Sequence, residues 1–229
     1  MGVLFLAPLI QLIGIGIPLV GCFALFKKEQ TKATLSLFLT NIACLVINYT
    51  YLLLITTETP DGAITTMKML YLGNALFYSA FILFMTNYLQ IGGTTIRTFL
   101  FTIWAGIETC ILFLLWLGDP LHLVFLDMKV RRVEFWGLTY VQTISGPVYW
   151  IRNCVLLCVL TTGLIYTTIK MFRLKIQEER ENLGRLCGAQ FIIVFALDMS
   201  TIFHLPFDIV PICSSVAILS FNGELILSR

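Results

Sequence analysis

Eight residues set in or beside apolar runs carry most of the chemistry open to this sequence: Asn74, Glu108, Tyr149, Trp150, Arg152, Asp198, His204 and Asp208. An ionisable group inside hydrocarbon costs about 2.5–3.5 kcal/mol on insertion scales, so each charged member needs a partner, an exit to water or a function. Arg152 lies five residues beyond Pro147, about 8 Å along a helix that starts there. Asp198 stands at a comparable depth in the next apolar run. An aspartate and an arginine at matched depth on consecutive antiparallel helices predict an ion pair, or a site where one of them meets a polar ligand. The Arg152 stem is also long enough to snorkel to the interface.

Glu108 has no charged partner in its own run and is expected to be protonated or bonded to Asn41, Asn48 or Asn74. Asn41 and Asn48 are seven apart, share one helix face and point together into a bundle interior. Asp208 and His204 flank Pro206 in a tight turn. Asp208 is placed to cap the helix that follows, with Pro211 tolerated in its first turn. His204 is either a pH-responsive neighbour of Asp208 or an interfacial residue. With Tyr149 and Trp150, Arg152, Asp198, His204 and Asp208 define an outward-facing pocket. Its rival is a polar cluster that joins helices and takes no ligand.

The elements that must position these residues are membrane spans. Of 229 residues, 58% are hydrophobic and 12% charged, with a mean hydropathy of +0.90, against about 45–50% apolar and 25% charged in soluble domains. That excludes a water-soluble globule and a disordered chain, and a net charge of +2 supplies no basic stripe for nucleic acid. Charge clusters and turn residues divide the chain into seven apolar segments: about Val3–Phe26, Thr34–Thr56, Thr66–Gln90, Thr98–Leu117, Pro147–Phe172, Arg185–Phe203 and Asp208–Leu227. The expected fold class is all-α, a polytopic seven-transmembrane bundle filling residues 1–229 as one domain, with no soluble output domain.

Alternate connections differ in charge. Lys27, Lys28, Lys32, Arg97, Lys170, Arg173, Lys175, Arg180, Arg185 and Arg229 fall on one side, ten in all, against Lys68, Lys129, Arg131 and Arg132 on the other. The positive-inside rule makes the richer side cytoplasmic, which places the N-terminus outside and the C-terminus inside a plasma (inner) membrane. The stretch Lys170–Arg185 is expected to extend the two helices that flank it. On the outer side, Pro60-Asp61-Gly62 reads as a turn. The longest connection, Gly118–Gly146, is apolar enough to fold over the bundle mouth with short strands around Met128–Val133, as a lid on a cavity or as an interfacial loop.

No hydrolase, metalloprotease, P-loop or dinucleotide motif is present, and the seventh span lacks a Schiff-base lysine, so no enzyme activity, cofactor or metal is expected. The seven cysteines lie within apolar runs without a C-x-x-C pair and read as packing residues.

Three stretches carry a family likeness: Lys68-Met69-Leu70-Tyr71-Leu72-Gly73 opening the third span, Gly146-Pro147-Val148-Tyr149-Trp150 entering the fifth, and Phe207-Asp208-Ile209-Val210-Pro211-Ile212 entering the seventh. With them the chain resembles the N-terminal seven-span sensor region of bacterial histidine kinases and diguanylate cyclases. The sequence departs from that pattern at Arg152, often a histidine there, at Val210, a threonine in the family, and in a sixth span that has Asp198 and no proline. The resemblance implies a sensory receptor module. A small external or membrane-embedded ligand would change helix packing, and the seventh helix would pass the change to a cytoplasmic kinase or cyclase, in the same longer chain or a separate one. Membrane lipid and a second copy of the chain are further expected partners. The competing expectations are a small transporter, in which Glu108, Arg152 and Asp198 would be pathway residues, and a membrane subunit without a ligand.

Overall fold

The computed structural model describes residues 6–29, 31–91, 93–133, 138–202 and 208–227. Among these are seven helices and one hairpin: α1 (Leu6–Phe26), α2 (Lys32–Thr56), α3 (Pro60–Leu89), α4 (Thr94–Trp116), β1 (Phe125–Val133), β2 (Leu138–Ser145), α5 (Pro147–Arg173), α6 (Gln177–Ile202) and α7 (Val210–Leu227). Five helices, α1, α2, α3, α5 and α6, are long and apolar enough to cross a membrane, and α4 and α7 contain the shorter apolar stretches Phe101–Trp116 and Val210–Asn222. Large apolar side chains such as Phe23, Phe113, Ile151, Phe172 and Phe191 stand exposed on the outside of the bundle. Such a surface belongs in lipid, where helices also satisfy their own backbone hydrogen bonds.

Helix boundaries depart from expectation where capping outranks hydropathy. Pro60-Asp61-Gly62 is not a turn but the first turn of α3: Thr59 is the N-cap, its hydroxyl accepts the Gly62 N–H at 3.3 Å, and Pro60 occupies the first helical position. Proline favours that position because its missing N–H would have had no partner. Thr31 and Thr34 form a reciprocal capping box at the start of α2. The charged stretch Lys170–Arg185 does extend its neighbours, with α5 ending at Arg173 and α6 starting at Gln177.

α2 packs between α1 and α3, α7 packs on α1, α2 and α6, and α5 on α6. The α1–α2–α7 contact is built in two layers with a seven-residue period. In one, Asn48 Nδ2 donates to the Pro211 carbonyl at 3.1 Å and to Ser215 Oγ at 2.9 Å, and Ser215 Oγ donates to the Gly14 carbonyl at 2.8 Å. In the other, Asn41 and Asn222 exchange amide hydrogen bonds against Gly21. Asn41 and Asn48 are therefore interior as expected, but they join α2 to α7 and do not bond Glu108.

The Gly118–Gly146 connection forms an antiparallel hairpin, paired from Phe125↔Ser145 to Val133↔Leu138 with an irregularity between Phe125 and Asp127. Asp119 anchors its start. Held at a left-handed φ of 46°, this buried residue accepts the N–H groups of Leu123 (2.9 Å), Val124 (2.8 Å) and Phe125 (2.9 Å) through its carboxylate. Gly146 closes the other end: its N–H donates to the Val124 carbonyl at 2.8 Å, and a Cβ there would fall on the Leu123 carbonyl oxygen. Thr139 Oγ1 donates to the Thr57 carbonyl at 2.6 Å and ties β2 to the end of α2. On the exposed hairpin, the hydrogen bond from Lys129 holds the Asp127 carboxyl below the usual carboxylate range.

Candidate functional site

Beneath β2 the helices leave a cavity of about 340 Å³, near the lower end of the roughly 300–1,000 Å³ typical of small-molecule sites. Its walls come from α2 (Tyr51, Leu54), α3 (Met67, Leu70, Tyr71, Asn74, Tyr78), α5 (Tyr149, Arg152) and α6 (Leu197, Ser200, Thr201), with Asp208 and Val210 at the entry to α7. Phe125 and the β2 residues Tyr140, Val141, Gln142, Thr143 and Ser145 close it from above. The hairpin thus lies over a cavity.

Tyr71, Asn74 and Tyr78 reach the cavity together because positions i, i+3 and i+7 share one face of α3. Arg152 enters from α5 and is 4% exposed, so its guanidinium does not snorkel. It turns inward onto Glu108 of α4, itself 3% exposed: Nε donates to Glu108 Oε1 at 2.9 Å, and Nη2 lies 2.8 Å from the same oxygen. Nη1 donates to Asn153 Oδ1 at 2.9 Å. The guanidinium carbon sits 5.2 Å from the Tyr71 ring centre, 5.4 Å from that of Tyr78 and 6.0 Å from that of Trp104. An ion pair with three aromatic faces around its cation is the arrangement in which a buried charge is tolerated.

This corrects two expectations. Arg152 pairs with Glu108 and not with Asp198, and Glu108 is bonded to an arginine rather than to an asparagine. Matched depth along the chain put Asp198 in reach, but the rotation of each helix about its axis decides which faces meet. Asp198 is partly exposed and lies outside the cavity wall. Among the described residues its side chain has no hydrogen bond or ion pair.

Of the expected site residues, the cavity brings together Asn74, Tyr149, Arg152 and Asp208. Glu108 stands behind Arg152 without lining the wall, and Trp150 is 44% exposed on the outer face of α5. His204 lies outside the described residues. Asp208 does not occupy the N-cap itself. It precedes α7, where its Oδ1 accepts the N–H of Val210, the first helical residue, at 2.9 Å, while its own N–H donates to Tyr51 Oη at 2.8 Å. In that turn, outside the helices, burial pushes the Asp208 carboxyl up to about 6, opposed by the hydrogen bonds from Val210 and Ser200.

Sequence reasoning missed Tyr51, Tyr71, Tyr78, Tyr140 and Gln142. The α3 stripe was readable, since Tyr71-x-x-Asn74-x-x-x-Tyr78 puts three polar groups on one helix face of an apolar span. Nothing local marks Tyr140 or Gln142, whose placement depends on the hairpin folding back.

These features define a polytopic seven-helix membrane protein with a cavity of mixed polar and apolar lining beneath the hairpin. The family model for the N-terminal 7TM region of histidine kinase matches residues 9–224, and the chain belongs to that family. It is accordingly a membrane sensory module. Comparison with the curated proteins finds no match.

Proposed function

We propose that this module binds a small ligand in the cavity beneath the β1–β2 hairpin and passes the occupancy of that cavity through α7 to a cytoplasmic histidine kinase or diguanylate cyclase. The observation that carries the reading is the position of Asp208 and Val210. Both line the cavity, and they are the residues from which α7 starts. A ligand that pulls on this turn acts on the seventh helix directly. The hairpin serves as the lid, resting on α2 through Thr139 and Thr57. The charge asymmetry of the connections supports a membrane orientation with the hairpin outside and the N-terminus outside, in the plasma (inner) membrane. A homodimer would suit coupling to a kinase or cyclase.

The test is native mass spectrometry of the full chain purified from membranes, wild type against Thr143→Trp, which fills the cavity from β2. The expected result is a small-molecule adduct on the wild type that is lost from the variant at an unchanged unfolding midpoint. An adduct retained equally by the filled cavity would overturn the reading. Steady flux of a solute across vesicles carrying the wild type would favour a transporter instead.

A further inference from the structure

The cavity wall holds three buried polar atoms that have no hydrogen-bond partner: Tyr71 Oη, Asn74 Oδ1 and Arg152 Nη2. Seven buried polar side-chain atoms among the described residues lack such a partner, and the gathering of three of them on one cavity wall calls for an explanation. They are neighbours. Tyr71 and Asn74 are one turn apart on the same face of α3, and the Arg152 guanidinium stands over the Tyr71 ring at 5.2 Å. Arg152 Nη2 lies 2.8 Å from Glu108 Oε1 as an ion-pair contact and makes no hydrogen bond.

The hydrogen-bond types specify a complement. Arg152 Nη2 only donates and so asks for an acceptor; Asn74 Oδ1 only accepts and so asks for a donor; the Tyr71 hydroxyl can do either. The charges narrow it further. Glu108 already neutralises Arg152, so no net positive charge remains to hold an anion, and the Asp208 carboxyl on the same wall disfavours one. A cation would have to approach the Arg152 guanidinium. The rest of the wall is mixed, with Leu54, Leu70, Phe125, Leu197 and Val210 standing among hydroxyl and amide side chains.

Resting on the reading of this cavity as the ligand site, we propose that its ligand is an uncharged small molecule with a partly apolar body and an amide-type head. The head carbonyl meets Arg152 Nη2 and Tyr71 Oη, and its N–H meets Asn74 Oδ1. An amide fits because it presents acceptor and donor on adjacent atoms without a net charge, as the three orphans require.

Three probes of matched shape test the assignment on the full chain in lipid nanodiscs, by titration calorimetry with empty nanodiscs as the partition control: 3-phenylpropanamide, 3-phenylpropanoate and 3-phenylpropylammonium. The expected result is saturable binding of the amide at least tenfold tighter than of either charged probe. Asn74→Leu, which removes the acceptor and leaves the Glu108–Arg152 pair intact, should weaken the amide at least fivefold. Tyr71→Phe, which keeps the ring, should weaken it severalfold and serves if the first variant does not fold. Equal or tighter binding of the carboxylate or the ammonium overturns the head-group assignment while leaving the cavity a ligand site. No saturable binding of any probe overturns the assignment too, with the cavity then holding water alone against the three orphans. The adduct experiment above decides the ligand site independently.

Discussion

Asn41 and Asn222 hold each other by two amide hydrogen bonds, Asn222 Nδ2 to Asn41 Oδ1 at 2.8 Å and Asn41 Nδ2 to Asn222 Oδ1 at 3.3 Å, with Gly21 of α1 packed against both. This fixes the rotation of α7 relative to α2, since a turn of either helix breaks both bonds at once. Inside a membrane an interhelical side-chain bond is worth about 0.6 kcal/mol on average and about 1.7 at most. A double-mutant cycle of Asn41→Ala and Asn222→Ala is expected to give a coupling in that range by denaturation in micelles. Additive single effects would show that the pair does not act as a unit.

Gly21 gives the same contact a steric signature. A Cβ at this position would fall on the amides of Asn41 and Asn222, whereas at Gly16, five residues earlier in α1, a Cβ meets nothing within 4 Å. Gly21→Ala should lower the unfolding midpoint by several degrees and Gly16→Ala should leave it unchanged or raise it, because alanine is the better helix former. Equal effects at the two positions would remove the steric account.

The Glu108–Arg152 pair links α4 to α5, two helices whose backbones are not among the closely packed pairs. Removing one partner leaves a buried charge alone, at a cost of about 3–5 kcal/mol, whereas replacing both by apolar residues of similar volume is often neutral. Glu108→Leu should therefore destabilise strongly, and adding Arg152→Met should recover most of the loss in unfolding measurements. If the double variant is no more stable than the single, the charges are not a pair in solution.

How far the sequence foretold this arrangement depends on the range of the interaction. The seven-residue spacing of Asn41 and Asn48 was enough to turn both inward, because helix periodicity is local. The apolar content of Gly118–Gly146 was enough to suggest strands over the bundle mouth, and the hairpin is there. The partner of Arg152 was not legible: depth pointed to Asp198 and Glu108 was read without a charged partner, because the rotation of each helix that brings Glu108 onto Arg152 is set by packing and leaves no local mark. Pro60 was misread because proline and glycine mark both turns and helix starts, and Thr59 ahead of them was the deciding residue.

Asp119 went unremarked in the sequence and yet organises the hairpin, with three backbone N–H groups on one carboxylate. Losing a buried acceptor of this kind costs about 1–3 kcal/mol, and here the loss should fall on the hairpin alone. Asp119→Ala is expected to raise amide hydrogen exchange across Phe125–Val133 and Leu138–Ser145 by one to two orders of magnitude, with α1 and α2 unchanged. Unaltered exchange in the strands would mean that the hairpin is held by Thr139 and the aromatic contacts of Phe125 with Tyr71 and Tyr149 instead.

Asp208 makes the stability of the α6–α7 turn depend on pH. Burial lifts its carboxyl from the ordinary 3.8 to about 6, so between those values the folded protein keeps a proton that the unfolded chain has released. The group therefore contributes stability that is fully present below about 4 and is lost as pH rises through about 6. The groups that face it among the described residues are the hydroxyls of Tyr51, Tyr78, Tyr149 and Ser200 and the Cys213 thiol, none of them a cation at these pH values. Asp208→Asn keeps an oxygen for the Val210 N–H and removes the titration. The difference in unfolding midpoint between wild type and variant should then move against the wild type from pH 4.5 to pH 7. The same pH slope in both proteins would place the Asp208 carboxyl in water and detach it from the cavity wall.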